Sequence, residues 1–270
     1  MKRKKNYKPA IFLATCVIAA TSGMVYMTGL PKPGAAGGTK ATEDDALFLE
    51  RDANLLKEDV LYQCDEVGRR TSRFSPQQKK FNEWMEYTLE GNRFEVTVQD
   101  YPAGSSRGRN VIGVRKGELP GAIVVGTHYD SYGKGPCANS SASGVATVTA
   151  LARRFATLRP KKTLIVAFFG TGERPHRGKE TAGAAVWLKK AKEDGVQIDL
   201  AILVGSYGIY MDVPGSQLST VPWKFVAPET ADWVGIYGDL VGRGTVVEML
   251  NHWGQVTDLP ARGFATPANP

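Results

Sequence analysis

The stretch GAIVVGTHYDSYGKGPCANSSASGVA, residues 121–146, decides how the fold is read. It opens as a continuous apolar run and ends in His128 and Asp130. Such a run fits a strand buried on both faces of a parallel sheet. A loop rich in Gly and Ser follows. From Ser143 to Leu158 the pattern turns helical, with Val145, Val148, Leu151, Phe155 and Leu158 at three- and four-residue steps. An open α/β sheet binds its ligands beyond the carboxyl ends of its strands. His128 and Asp130 therefore stand where chemistry is expected. The loop after them offers Asn139, Ser140 and Ser141 but no carboxylate.

The same alternation extends in both directions. Downstream, KKTLIVAFFG is a second buried strand, followed by a polar loop and the helix ETAGAAVWLKKAKEDG. IDLAILVGSYG reads as a third strand and DWVGIYGD as a fourth, with the helical GTVVEMLNHWGQV behind it. The end, GFATPANP, reads as unstructured. Upstream, RFEVTVQDY alternates like a half-buried strand and RNVIGVRKG like its neighbour. A helix starts near Asp44. Another covers SPQQKKFNEWMEYTLEGN, with Ser75 as cap, Pro76 in its first turn and Gly91 at its end. Phe81, Trp84 and Leu89 form its apolar face. Strands alternating with helices predict an α/β fold. The expected form is a three-layer α/β/α sandwich with a doubly wound, mostly parallel central sheet.

The chain has 270 residues, 42% hydrophobic and 23% charged, enough to bury a full core. Its net charge is +7, but Lys2, Arg3, Lys4, Lys5 and Lys8 supply five of those charges. The remainder carries about +2, which excludes a nucleic-acid footprint. Residues 10–30 are 21 uncharged residues between Pro9 and Pro31. As a helix they would span roughly 30 Å, one bilayer core. The basic flank predicts that residues 1–9 stay in the cytoplasm and that the main domain is exported. A transmembrane anchor is preferred because the apolar run continues through Met24 and Met27. A cleaved signal peptide is the alternative, with Ala20 and Ser22 near a cut. Cys16 could suggest a lipidated cysteine, although Thr15 suits that poorly. Residues 31–43 read as a linker, and residues 44–270 as one domain. Of three cysteines, Cys16 lies in the apolar segment, so only Cys64 and Cys137 could pair in an oxidising compartment.

Besides His128 and Asp130, the strand ends offer Glu173 and His176 in GTGERPHRG. The third strand end, LVGSYG, has no ionisable group but Tyr207. Tyr207, Tyr210 and Trp223 read as packing residues. An H-x-D triplet by itself is a weak signal. The order RNVIGV, GTHYDS, ANSSASGVA, LARRFA, TLIVAFFGTGE and DVPGSQ, however, resembles the exported zinc aminopeptidases of metallopeptidase clan MH, the group that includes aminopeptidase Y. The resemblance runs from about Val60 to the end. It implies a two-zinc site on strand-end loops, a carboxylate bridging the ions, and a glutamate base beside the bound water.

Carried over position by position, the resemblance makes His128 and Glu173 metal ligands and Asp130 the acid that orients His128. Asp130 and Glu173 are thus the candidate catalytic residues. The bridging aspartate would follow Asn139, where this chain has Ser140. The base falls on Gly172, and a further carboxylate ligand on Gly205. Sliding the loop by one residue would make Glu173 the base, but one side chain cannot fill both roles. Asp199 lies six residues before Gly205, roughly 20 Å along an extended strand, and is no substitute. The last histidine ligand would come after FATPANP, and His252 lies too early, so the resemblance implies a degenerate member truncated at the C-terminal end of residues 44–270. Two ligands are fewer than the three protein ligands usual in a catalytic zinc site. His176 could make a third.

The expected function is therefore that of an exported, membrane-anchored relative of zinc aminopeptidases that cut N-terminal peptide bonds, acting on peptides or proteins but impaired or inactive. A non-catalytic peptide- or protein-binding scaffold is the alternative. A gene fragment and a glutaminyl cyclase, a one-zinc relative of the same fold, are further readings.

Overall fold

The computed structural model describes residues 43–71, 76–133, 135–205, 207–217 and 228–266. The basic terminus, the apolar segment 10–30, Ser75 and Trp223 lie outside the described residues. Among the described residues no helix is long and apolar enough to cross a membrane.

Among the described residues, five α-helices and seven strands follow in the order α1 (Glu43–Leu61), α2 (Pro76–Gly91), β1 (Glu95–Ala103), β2 (Ser106–Arg115), β3 (Leu119–His128), α3 (Ser143–Phe155), β4 (Lys162–Phe169), α4 (Gly183–Glu193), β5 (Ile198–Leu203), β6 (Val234–Asp239), α5 (Arg243–Val256) and β7 (Ala261–Thr266). Short π-helical stretches lie at Tyr62–Val67 and Ala138–Ala142, the second running directly into α3.

The central sheet has the order β1-β2-β4-β3-β5. β3 pairs in parallel with β4 and β5, while β2 pairs antiparallel with β1 and β4. Side chains alternate between the two faces of a strand, and this parity builds the layers. Val111, Val125, Val166 and Phe168 share one apolar core with Phe81, Met85 and Leu89 of α2 and Val145, Val148 and Leu151 of α3. Their neighbours Ile112, Val124, Ile165, Ala167 and Phe169 face a second core that includes Ala184 and Trp187 of α4. Helices therefore cover both faces, and the fold is a mixed α/β sandwich with a largely parallel sheet centre. Burial of each large apolar side chain contributes about 1.5–3 kcal/mol. The run AIVVG of β3, residues 122–126, is apolar because both of its faces are covered.

Two expectations are corrected. DWVGIYGD does not extend the central sheet. It forms β6, which pairs in parallel with β7 in a separate two-stranded sheet. This β6–α5–β7 unit buries its own apolar face, with Val234, Ile236 and Ala261 against Val246, Leu250 and Trp253. The end GFATPANP is not unstructured throughout, since Gly263–Thr266 lies in β7 and pairs with Ile236–Asp239. Tyr207 packs against both the central core and the β6–α5–β7 core, whereas Tyr210 is half exposed.

Helix α1 docks on α3 through charged pairs. Arg153 donates to both oxygens of Asp59, at 2.7 and 2.9 Å, and Arg154 donates to Asp52. The guanidinium fork matches a carboxylate in two parallel bonds, which fixes the rotation of α1 against the domain.

Candidate functional site

Three strand ends converge as the sequence predicts. β3 ends at His128, β4 leads into Thr171–Glu173, and β5 leads into Val204 and Gly205. Val204 N donates to Gly126 O at 2.8 Å and Tyr129 N to Phe169 O at 3.0 Å, so the parallel pairing continues into the loops.

His128 and Glu173 meet. His128 Nε2 lies 3.4 Å from Glu173 Oε1. The same Glu173 oxygen accepts the Ser140 hydroxyl at 2.7 Å. The nearby His128 imidazole first, and then the Ser140 hydroxyl, hold the Glu173 carboxyl down to about 2 against the opposing effect of desolvation. Asp130 acts on the backbone. Its Oδ1 accepts the Gly172 N–H at 2.7 Å and its Oδ2 the Glu173 N–H at 3.0 Å. Burial raises the Asp130 carboxyl, while His128 and those two amides pull it back. Asp130 thus pins the loop that presents Glu173. Thr171 assists this with a left-handed φ of 51°, its hydroxyl bridging Tyr101 OH at 2.9 Å and Thr181 O at 2.8 Å.

His176 is turned elsewhere. Its Nδ1 contacts Thr181 Oγ1 at 3.0 Å, and the ring is buried beside Gly104. It therefore completes no cluster with His128 and Glu173. Asp199 pairs with Lys162 and takes Gln197 Nε2 at 2.9 Å, away from the strand ends.

The two glycines at expected carboxylate positions differ. A Cβ on Gly172 would fall 2.4 Å from His128 Cβ, so a side chain there displaces the imidazole. Among the described residues a Cβ on Gly205 would meet only Ser140 O, at 4.0 Å, which leaves it room there.

Arg70 was not singled out from the sequence. Its side chain is fully buried. Nε donates to Tyr129 O at 2.9 Å, Nη1 to Gln63 O at 2.9 Å and Gly68 O at 3.0 Å, and Nη2 to Pro136 O at 2.9 Å and Ser141 Oγ at 2.8 Å. The Arg70 backbone also exchanges bonds with Ser131. All five guanidinium N–H groups are thereby used. One buried cation organises the loop 129–141, which carries both Asp130 and Ser140. Its only sequence signal, a basic run at Arg69–Arg70, reads more naturally as exposed.

The described residues do not fit a two-zinc centre. Between two dications the bridging donor has to be an anion, and Ser140 supplies a neutral hydroxyl already bonded to Glu173. Among the described residues no group of three or more His, Cys, Asp or Glu side chains converges. The arrangement instead bonds Ser140 to Glu173, while His128 Nε2, 3.4 Å from the same carboxylate, is buried without a hydrogen-bond partner among the described residues.

Residues 110–218 match Peptidase family M28, a span that runs from β2 past β5 and includes every strand end just described. Over 224 residues the chain is 26% identical to the uncharacterized protein YfbL of Escherichia coli (strain K12), covering 78% of this chain and 68% of that one. The fold is similar to a leucine aminopeptidase precursor from Bacteroides thetaiotaomicron VPI-5482, at 19% identity and a TM-score of 0.50, covering 61% of this chain. This chain spans 63% of that precursor. A Zn-dependent exopeptidase from Parabacteroides distasonis ATCC 8503 shares the fold at 15% identity and a TM-score of 0.54, with 81% and 77% covered. A glutaminyl cyclase from Porphyromonas gingivalis does so at 13% and 0.53, with 80% and 83% covered.

Proposed function

We propose that this chain is an exported, membrane-anchored domain descended from zinc aminopeptidases that binds peptides or a protein partner and has lost efficient hydrolysis. The observation carrying this reading is the 2.7 Å bond from the Ser140 hydroxyl to Glu173. It puts a neutral donor where the resemblance implies a bridging anion, and it occupies the carboxylate left for a metal. The M28 match and the zinc-dependent exopeptidase of similar fold support zinc as the ancestral ion and peptides as the ligand class.

The test is zinc content by elemental mass spectrometry after dialysis of the full chain in detergent, with folding checked by circular dichroism. Hydrolysis of leucine p-nitroanilide is followed in parallel. Far less than one zinc per folded chain, and hydrolysis no faster than buffer, is the expected result. One or two retained ions with turnover would overturn the loss of activity.

The basic residues 2–8 and the apolar segment 10–30 support the anchor. After a carbonate wash of the cell membranes, the chain is expected in the pellet with Met1 at its N-terminus or its own residues 1–9 intact. A shortened chain in the soluble exported fraction would point to a cleaved signal, and a soluble cytoplasmic chain would end the export reading.

A further inference from the structure

Cys64 and Cys137 lie 73 positions apart in the chain, and both are free and partly buried. Cys64 sits in the π-helical stretch Tyr62–Val67, and Cys137 immediately precedes the stretch Ala138–Ala142. The residue before each cysteine gives its carbonyl to the same guanidinium. Arg70 Nη1 takes Gln63 O and Nη2 takes Pro136 O, both at 2.9 Å. Those two nitrogens belong to one planar group, so the two backbones pass each other across it. The Gln63 amide adds a second tie, donating to Ala142 O at 3.1 Å.

We propose that Cys64 and Cys137 form a redox-active pair, and that their oxidation by a small-molecule disulfide clamps the loop bearing Asp130 and Ser140 to the Tyr62–Val67 stretch. At rest the Cys137 thiol donates to Tyr132 O at 3.2 Å. Pairing requires that sulfur to leave Tyr132 and turn toward Cys64. Cys137 has a left-handed φ of 56° and stands just outside the helical segment Ala138–Ala142, so turning its side chain breaks no helical packing of its own. Burial pushes the Cys64 thiol up, Arg70 opposes this, and Asp65 and Cys137 add to the rise.

In the reaction, one cysteine thiolate attacks glutathione disulfide, forming a mixed disulfide and releasing one glutathione thiolate. The second cysteine, after losing its proton to solvent, attacks the protein sulfur of that mixed disulfide. The protein disulfide forms, and a second glutathione leaves. Two protein thiols are oxidised and one glutathione disulfide is reduced to two thiols, so electrons and protons balance.

The experiment treats the folded full chain in detergent with glutathione disulfide, blocks residual thiols and maps tryptic peptides without reduction. Trypsin releases Cys64 in residues 58–69 and Cys137 in residues 135–153, while Cys16 falls on a different peptide. The expected product is the first two peptides joined, lighter than their sum by two hydrogens. Cys137→Ser should leave Cys64 carrying glutathione alone. Amide hydrogen exchange across residues 129–141 is expected to slow on oxidation in the wild-type chain. Independent glutathione adducts on both cysteines, unreacted thiols, or a bond involving Cys16 would each overturn the pair. Cross-linking with unchanged exchange would overturn the clamp.

Discussion

Arg70→Met is expected to destabilise the domain by about 4 kcal/mol, since it strips hydrogen bonds from several buried acceptors at once. Arg70 is fully buried, and its side chain satisfies the carbonyls of Gln63, Gly68, Tyr129 and Pro136 and the hydroxyl of Ser141. Methionine fills much of the volume but donates nothing. Several carbonyls would then lose their partner in a place that water reaches poorly. Arg70→Lys should recover only part of the loss, because an ammonium has three donors on a single nitrogen and cannot span the same carbonyls. Urea unfolding of the three proteins measures this. The loss should also be local: hydrogen exchange across residues 129–141 should rise before that of β3 and β4. If Arg70→Met unfolds within about 1 kcal/mol of wild type, the loop is held by something other than this residue.

Ser140→Asp is expected to make stability depend on metal. The Ser140 hydroxyl lies 2.7 Å from Glu173 Oε1. A carboxylate in its place would face Glu173 with like charge at about the same range, and two such groups resist ionising together. With chelator present, the variant should lose about 2 kcal/mol at neutral pH. In excess zinc it should recover that loss, because an ion held between the carboxylates and His128 turns repulsion into attraction. At a hundred times its dissociation constant, a ligand adds about 2.7 kcal/mol. Adding Gly205→Glu should tighten zinc further, because a side chain fits there, with only Ser140 O as near as 4.0 Å. Gly172→Glu should do the opposite, since its Cβ would press on His128 at 2.4 Å. Thermal unfolding with zinc and with chelator decides it. Identical midpoints for wild type and Ser140→Asp under both conditions would show that Ser140 does not sit in the former ion position.

Much of the sandwich was legible in the sequence. The unbroken apolar runs of β3 and β4 required cover on both faces. The three- and four-residue spacing from Val145 to Leu151 required one buried helix face, and all of these residues now share one core. That the ends carrying His128, Asp130 and Glu173 share one crevice was legible too, because parallel strands bring their carboxyl ends to one edge. Ser140, Gly172 and Gly205 could be located at the same edge by motif order.

The remaining features depend on distance in space, which one-dimensional patterns do not encode. Nothing local separates a fourth strand of the main sheet from a strand that pairs with its own later partner, so β6 joining β7 was decided by the apolar face of α5. Gly172 and Gly205 are the same letter, yet one is pressed against an imidazole and the other meets no described atom nearer than Ser140 O at 4.0 Å. Asp130 was read as a clamp on His128, whereas its oxygens hold the amides of Gly172 and Glu173. Arg70 shows the limit most plainly. An arginine in a basic run is ordinarily solvated, because burying its charge is costly. Here chain segments far apart in sequence supply five acceptors, and only their convergence in the folded chain makes that burial possible.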